Sequence, residues 1–162
     1  MIISTLLNCN IVVTYSTMFF KNILVPHDGS KFSQHAFKIA LDVAKKYDSK
    51  ITVVNCIEVG EFRGPWYTDS QFGNAVRDRQ EKIVKENFAK LEVVAKKEGL
   101  QLNSYIFVTS SVVKQLVAFA KSNKIDLVIM GSHGKTGWSK MLLGSVANGV
   151  SQKIHCPVLI VK

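Results

Sequence analysis

From Phe20 to the C-terminus, short runs of apolar and β-branched residues alternate with longer stretches whose apolar positions recur every three or four residues. The first pattern is that of a buried strand and the second that of one helix face. Asn22-Ile23-Leu24-Val25-Pro26 reads as the first strand, followed by a helix that Ser30 caps and that runs to about Tyr47, with Ala36, Phe37, Ala40, Leu41 and Ala44 inward. Ile51 to Ile57 is the second strand. After a loop with Gly60, Gly64 and Pro65, the longest helix spans about Ser70 to Glu98, with Val76, Ile83, Val84, Leu91 and Val94 on one side and Gly99 ending it. Leu102 to Val108 is the third strand, and Ser110 or Ser111 starts a helix carrying Val112, Val113, Leu116, Val117 and Ala120. Leu127–Met130, inside the apolar run from Ile125, is the fourth strand, then Ser145 to about Ile154 a helix and Val158–Val161 the fifth strand. Strands that alternate with helices pair in parallel through right-handed crossovers, with helices on both faces. The chain is therefore expected to be a doubly wound α/β sandwich.

In such sheets ligands bind beyond the C-terminal ends of the strands, where strand order reverses. With the order 3-2-1-4-5, that crevice opens between the first and fourth strands. The loop after the first is Pro26-His27-Asp28-Gly29-Ser30. The loop after the fourth is Met130-Gly131-Ser132-His133-Gly134-Lys135-Thr136-Gly137, closed ten residues beyond Gly134 by Gly144-Ser145. Gly131 and Gly134 allow close approach of backbone N–H groups to a phosphate. Gly144 brings a helix start, with Ser145 as its cap and the Ser145 and Val146 amides as donors, to the same place. The two most motif-like loops thus meet at one point and form an anion site. Gly134-Lys135-Thr136 is not a P-loop, because Ile129 stands where that motif needs its first glycine. Lys135 and Lys140 either approach phosphates or face solvent, and Trp138 is either exposed or packs its own loop. Asp28 suits ribose hydroxyls or Mg²⁺, or else the start of the next helix. His27 is a neighbour of the site rather than a catalyst, since no Ser or Cys with a partnering acid is evident.

A chain of 162 residues makes one domain with a real core, and 47% hydrophobic with 20% charged residues is the composition of a folded globular chain. The net charge of +9 comes from lysines spread along predicted helices, such as Lys45-Lys46, Lys82, Lys85, Lys90 and Lys96-Lys97, so it reads as solvated helix faces rather than a nucleic-acid surface. Cys9, Cys56 and Cys156 have no metal-ligand or C-x-x-C spacing and read as buried, inert thiols in a reducing, cytoplasmic setting. His27, His35, His133 and His155 likewise lack metal spacing, so no protein-only metal site is expected. Residues 1–17 carry no charge, are interrupted by Asn8 and Asn10, lack the Lys or Arg that starts a secretory signal and are short and polar for a membrane span, with a targeting segment as the lesser alternative. They read as a disordered leader, or as sequence ahead of a start at Met18, with the domain spanning 18–162.

The spacing Gly131-x2-Gly134-x9-Gly144-Ser145, together with Ile23-Leu24-Val25-Pro26-His27-Asp28-Gly29-Ser30 and Cys156-Pro157-Val158-Leu159-Ile160-Val161, resembles the universal stress protein (UspA-like) family in its ATP-binding branch. The resemblance covers about residues 20–162 and implies an adenine nucleotide alpha hydrolase-like sandwich of strand order 3-2-1-4-5. It further implies a homodimer through the fifth strand, Val158, Leu159, Ile160 and Val161. ATP, with or without Mg²⁺, would be held by the positions matching Pro26, Asp28, Met130, Gly131, Gly134, Gly144, Ser145 and Val146, with His27 beside them. AMP or another adenine nucleotide is open as an alternative ligand. Asp28 would face the adenosine part and the glycines the phosphates, and Cys56, with Val54 and Asn55 close by, matches a position that contacts adenine. Thr109-Ser110-Ser111 stands where members often carry a Gly-x-Pro-like turn.

The leading expectation is an ATP-binding stress or signalling module that switches an unknown protein partner, with loop 131–143 as the moving part. One alternative is a slow ATP hydrolase or nucleotide transferase, for which only His133 and Asp28 are candidates. Another is a dimeric interaction module that never binds nucleotide. A phosphoacceptor receiver domain lacks its acidic cluster here. No catalytic residue is assigned.

Overall fold

A computed structural model of the chain describes residues 20–58, 70–135 and 143–162. The leader with Cys9, the Met18 boundary, the loop with Gly60, Gly64 and Pro65, and Trp138 and Lys140 lie outside the described residues. The elements follow in the order β1 (Asn22–Pro26), α1 (Lys31–Tyr47), β2 (Lys50–Glu58), α2 (Ser70–Lys97), β3 (Leu102–Thr109), α3 (Val112–Ser122), β4 (Leu127–Gly131), α4 (Ser145–Lys153) and β5 (Val158–Val161). All four strand pairings are parallel. The sheet order is β3-β2-β1-β4-β5, as expected.

Each face of the sheet carries its own apolar layer. Ile23 and Val25 of β1 pack with Ala36, Phe37 and Ala40 of α1 and Val84 and Phe88 of α2. Leu24, between them in sequence, joins Leu116, Phe119 and Ala120 of α3 and Ala147 and Val150 of α4 on the other face. This is the two-residue alternation of a strand, and because both faces are covered the central strands are apolar throughout. Burying one such Leu or Ile contributes roughly 1.5–3 kcal/mol.

Helix starts are set by side chains. Ser30 caps α1, its hydroxyl accepting from Ser33 N–H at 3.2 Å, and Ser111 does the same for α3 through Lys114 N–H. Of the two serines offered by the sequence, Ser111 is the cap.

The inward stripe of α2 differs from expectation. It consists of Val84, Phe88, Leu91 and Ala95, whereas Ile83 and Val94 are 47% and 41% exposed. Neighbouring helix positions point about 100° apart, so only one of Ile83 and Val84 can face the sheet. Phe88, four residues beyond Val84, decides which.

At the open end of the β1–β4 pair, Asp126 accepts from Lys21 N–H at 2.8 Å and Asn22 N–H at 3.1 Å, while its own N–H donates to Asn22 O at 3.1 Å. These bonds fix the register of β1 on β4 and so the relative position of the two loops at the opposite end.

Candidate functional site

The loops after β1 and β4 meet where strand order reverses. β1 lies between β2 and β4, and the chain leaves it toward β2 first, so the crossovers diverge at that point. A cavity of about 560 Å³ opens there. That is within the range of small-molecule sites. Pro26, His27, Asp28, Cys56, Met130, Gly131, Gly134, Gly144, Ser145 and Val146 all stand in its wall.

The loop after β1 is held by its main chain. His27 N–H donates to Val54 O at 2.8 Å and His27 O accepts from Asn55 Nδ2 at 2.7 Å, extending the β1–β2 ladder by one residue. Gly29 takes φ +88°, a conformation that costs other residues strain. Asp28 Oδ1 accepts from Ser30 N–H at 3.0 Å and Oδ2 from Lys135 N–H at 2.9 Å. Burial acts to raise the Asp28 pKa, but hydrogen bonds from the Ser30 hydroxyl and N–H, the Ser33 hydroxyl and Lys135 N–H outweigh it and hold the carboxyl below its ordinary value. Asp28 is therefore not the cap of α1, which is Ser30. It is a strap between the two loops.

The loop after β4 is pinned at both ends. Ser132 N–H donates to Val161 O at 2.7 Å and Gly144 N–H to Ser132 O at 2.8 Å, which closes the loop into a ring. The glycines have steric reasons of their own. A Cβ at Gly131 would lie 2.7 Å from Phe32 Cβ and 2.9 Å from Phe32 C, and one at Gly134 would lie 2.9 Å from Asp28 Oδ2. The Lys135 side chain folds back over Gly29, since a Cβ there would meet its Cε at 3.6 Å. His133 Nδ1 lies 3.1 Å from Ser132 Oγ, and its ring tilts against Phe32.

Ser145 is the first residue of α4, not its cap. The cap position is Gly144, which has no side chain to serve the first turn. The N–H groups of Ser145, Val146 and Ala147 lack helical partners by geometry, and all three residues line the cavity. These donors, with the positive end of the helix dipole, suit an anion. The Gly144 amide is already engaged by Ser132.

The α3/α4 side of the cavity is an apolar slot, lined by Pro26, Val54, Cys56, Val112, Leu116 and Met130. Cys56 is half-buried rather than buried, and burial, with Glu58 adding, pushes its thiol up to about 11; Cys156 is half-buried too, raised first by burial and then by Asp126. Both remain inert at neutral pH for that reason. Across the sheet rim stand His27, Ser33, Asn55, Gln80, Ile83 and Val84. Val112 and Leu116 had a signal in the sequence, being four residues apart at the start of a helix. Gln80, Ile83 and Val84 had none, since they come from a helix whose position follows from the fold. Among the described residues no cluster of three or more His, Cys, Asp or Glu side chains is placed to hold a metal.

The family model described as the universal stress protein family matches residues 19–162. A universal stress protein of Methanocaldococcus jannaschii is 31% identical over 158 residues, covering 94% of this chain and 88% of the relative. One of Bacillus subtilis is 28% identical, over 88% of this chain and 99% of the relative. Among solved structures, the UspA protein of Lactobacillus plantarum superposes with a TM-score of 0.81 at 21% identity, covering 88% of this chain and 98% of that one. Two others share the fold with bound ligands: a universal stress protein in complex with cAMP (TM-score 0.61, 24% identity, 88% and 96% covered) and one from Archaeoglobus fulgidus in complex with dAMP (TM-score 0.64, 20% identity, 90% and 100% covered).

Proposed function

This chain belongs to the universal stress protein family, and from that premise we propose that it is an adenine-nucleotide-binding module, with ATP as its ligand, acting in the cytoplasm as a stress or signalling switch rather than as an enzyme. The observation that carries the reading is the convergence of the Asp28 loop, the Gly131–Lys135 loop and the α4 start on one cavity at the strand-order switch point. Its parts divide as a nucleotide does. The apolar slot of Pro26, Val54, Cys56 and Met130 suits a purine, Asp28 lies at its edge for ribose hydroxyls, and the first-turn amides of α4 suit phosphates. Family members in complex with cAMP and dAMP support adenine as the base. Asp28, a carboxylate in the wall, also suits a phosphate-bound Mg²⁺.

As a switch, the protein would pair through β5 of two copies and present the two loops differently to a protein partner with and without nucleotide. β5 is a sheet edge whose Leu159 is 42% exposed. Among the described residues no helix is long and apolar enough to cross a membrane.

The test is native mass spectrometry of freshly purified protein, then ATP titration calorimetry on the wild type and Gly144→Trp, each checked for folding. A Trp at this position would sit against Ser132 O and His133 Cα, inside the phosphate region. A dimer carrying about one nucleotide per chain, lost in the variant, is the expected result. A folded wild-type dimer with no nucleotide and no binding heat overturns the reading in favour of a pure interaction module, and multiple turnover abolished by Asp28→Asn or His133→Ala would make it a hydrolase.

A further inference from the structure

One large apolar side chain is left uncovered at the mouth of the cavity. Ile83 lines the wall, is 47% exposed and belongs to neither apolar layer of the sheet, although Val84 beside it is buried. Its direction follows from the helix. Gln80, Ile83, Val84 and Asn87 lie within about 100° of one another around α2, so they share one face. That face is turned to the site on both sides of Ile83. One turn before it, Gln80 also lines the cavity. One turn beyond it, Asn87 reaches the loop after β1: a Cβ at Gly29 would lie 3.6 Å from Asn87 Nδ2, and 3.6 Å from Lys135 Cε of the loop after β4. α2 is thus seated where the two loops meet. Ile83 stands across the cavity from the apolar slot on the α3/α4 side, so the space between has apolar groups on two sides.

We propose that Ile83 is a specificity residue of this site, covering the face of a bound purine that the slot leaves open, so that the base is held between α2 and α3. This rests on the nucleotide reading above and adds α2 to the elements that hold the ligand. The base is the part that fits there. It is the flat and least polar part of a nucleotide, whereas phosphates gain nothing against an isoleucine and are suited by the amides of α4. Covering Ile83 takes out of water an apolar surface that folding leaves in it. A contact of this kind is blind to the length of the phosphate chain, and it draws its strength from apolar area alone.

Calorimetry at neutral pH tests this with ATP, ADP and AMP on the wild type, Ile83→Ala and Val93→Ala. Val93 is on the same helix and 55% exposed but outside the cavity wall, so it controls for the loss of an exposed apolar side chain. Both variants are expected to fold, since neither side chain is in the core and alanine is the better helix former. Circular dichroism checks this. Ile83→Ala is expected to weaken ATP, ADP and AMP by one common factor of about fivefold, the scale of losing part of one apolar side chain's burial. It also makes the heat-capacity change of ATP binding less negative, the mark of lost apolar contact. Val93→Ala binds all three as the wild type does. Unchanged affinity in Ile83→Ala, the same loss in both variants, or a loss that grows with the number of phosphates overturns the proposal while leaving the nucleotide reading intact. No binding of any of the three by the folded wild type overturns both.

Discussion

The carboxylate of Asp28 accepts the main-chain N–H of Lys135 at 2.9 Å across 107 residues of sequence, joining the loop after β1 to the loop after β4. Gly134 makes this possible, because a Cβ there would stand 2.9 Å from the same oxygen. The strap means that Asp28 orders the site before any ligand reaches it.

Asp28→Asn presents an amide N–H₂ to a main-chain donor in one orientation or the other. It is expected to lower stability by about 1 kcal/mol, the scale of one hydrogen bond lost at a part-exposed position. The effect depends on pH in a defined direction. Folding holds the Asp28 carboxyl below its ordinary value of 3.8, so the stabilisation is present above that pH and is lost as pH falls through the folded-state value. Urea unfolding of wild type and variant should thus differ at neutral pH and converge in strong acid. Equal stability at neutral pH would show that the strap contributes nothing.

Gly131→Ala places a Cβ 2.7 Å from Phe32 Cβ and 2.9 Å from the Phe32 main-chain carbon. Overpacking of this kind costs typically 1–3 kcal/mol. Because the opposing atoms are Cβ and main chain, adding Phe32→Ala is not expected to restore stability. Full rescue in the double variant would mean that the ring, not the backbone, sets the limit. Denaturant midpoints of the two variants decide it.

The sheet was legible in the sequence because buried parallel strands are continuous apolar runs and their crossovers are helices with clear caps. Ser30 and Gly99 mark element ends through local chemistry alone. The register of α2 was not legible: Ile83-Val84 and Val93-Val94 offer two adjacent apolar stripes, and only packing against β2 and β3 chooses between them. At the site, the glycine spacing and the β1 loop, with the family resemblance that adds Cys56, point to ten residues that line one cavity. What that spacing could not convey is that Gly131 faces Phe32, that Gly144 spends its N–H on Ser132, and that the Asp28 carboxylate spans to Lys135. The first and last of those contacts join segments about a hundred residues apart, which no local pattern encodes, and the Gly144–Ser132 bond depends on how the loop between them closes.

Cys56 gives a chemical report on the slot. With its thiol pushed up to about 11, roughly one molecule in a thousand is thiolate at pH 8, the reactive form. Iodoacetamide should therefore modify Cys56 far more slowly in the native protein than in urea, as read by peptide mass spectrometry. ATP is expected to slow it further, because Cys56 lines the apolar slot. Native labelling at the unfolded rate would show the slot to be open and the thiol solvated.

Leu159 tests the pairing assigned to β5. It is 42% exposed at the sheet edge, so a charge there costs the single chain little. In a dimer formed edge to edge through β5, Leu159→Lys would bring like charges together in a desolvated seam, and it is expected to dissociate the dimer by at least tenfold in sedimentation velocity without changing the circular dichroism spectrum. Tyr105→Lys on β3, the opposite edge, serves as the control, since Tyr105 is similarly exposed at 45% but lies outside the proposed seam. Dissociation by Tyr105→Lys and not by Leu159→Lys would move the interface to β3.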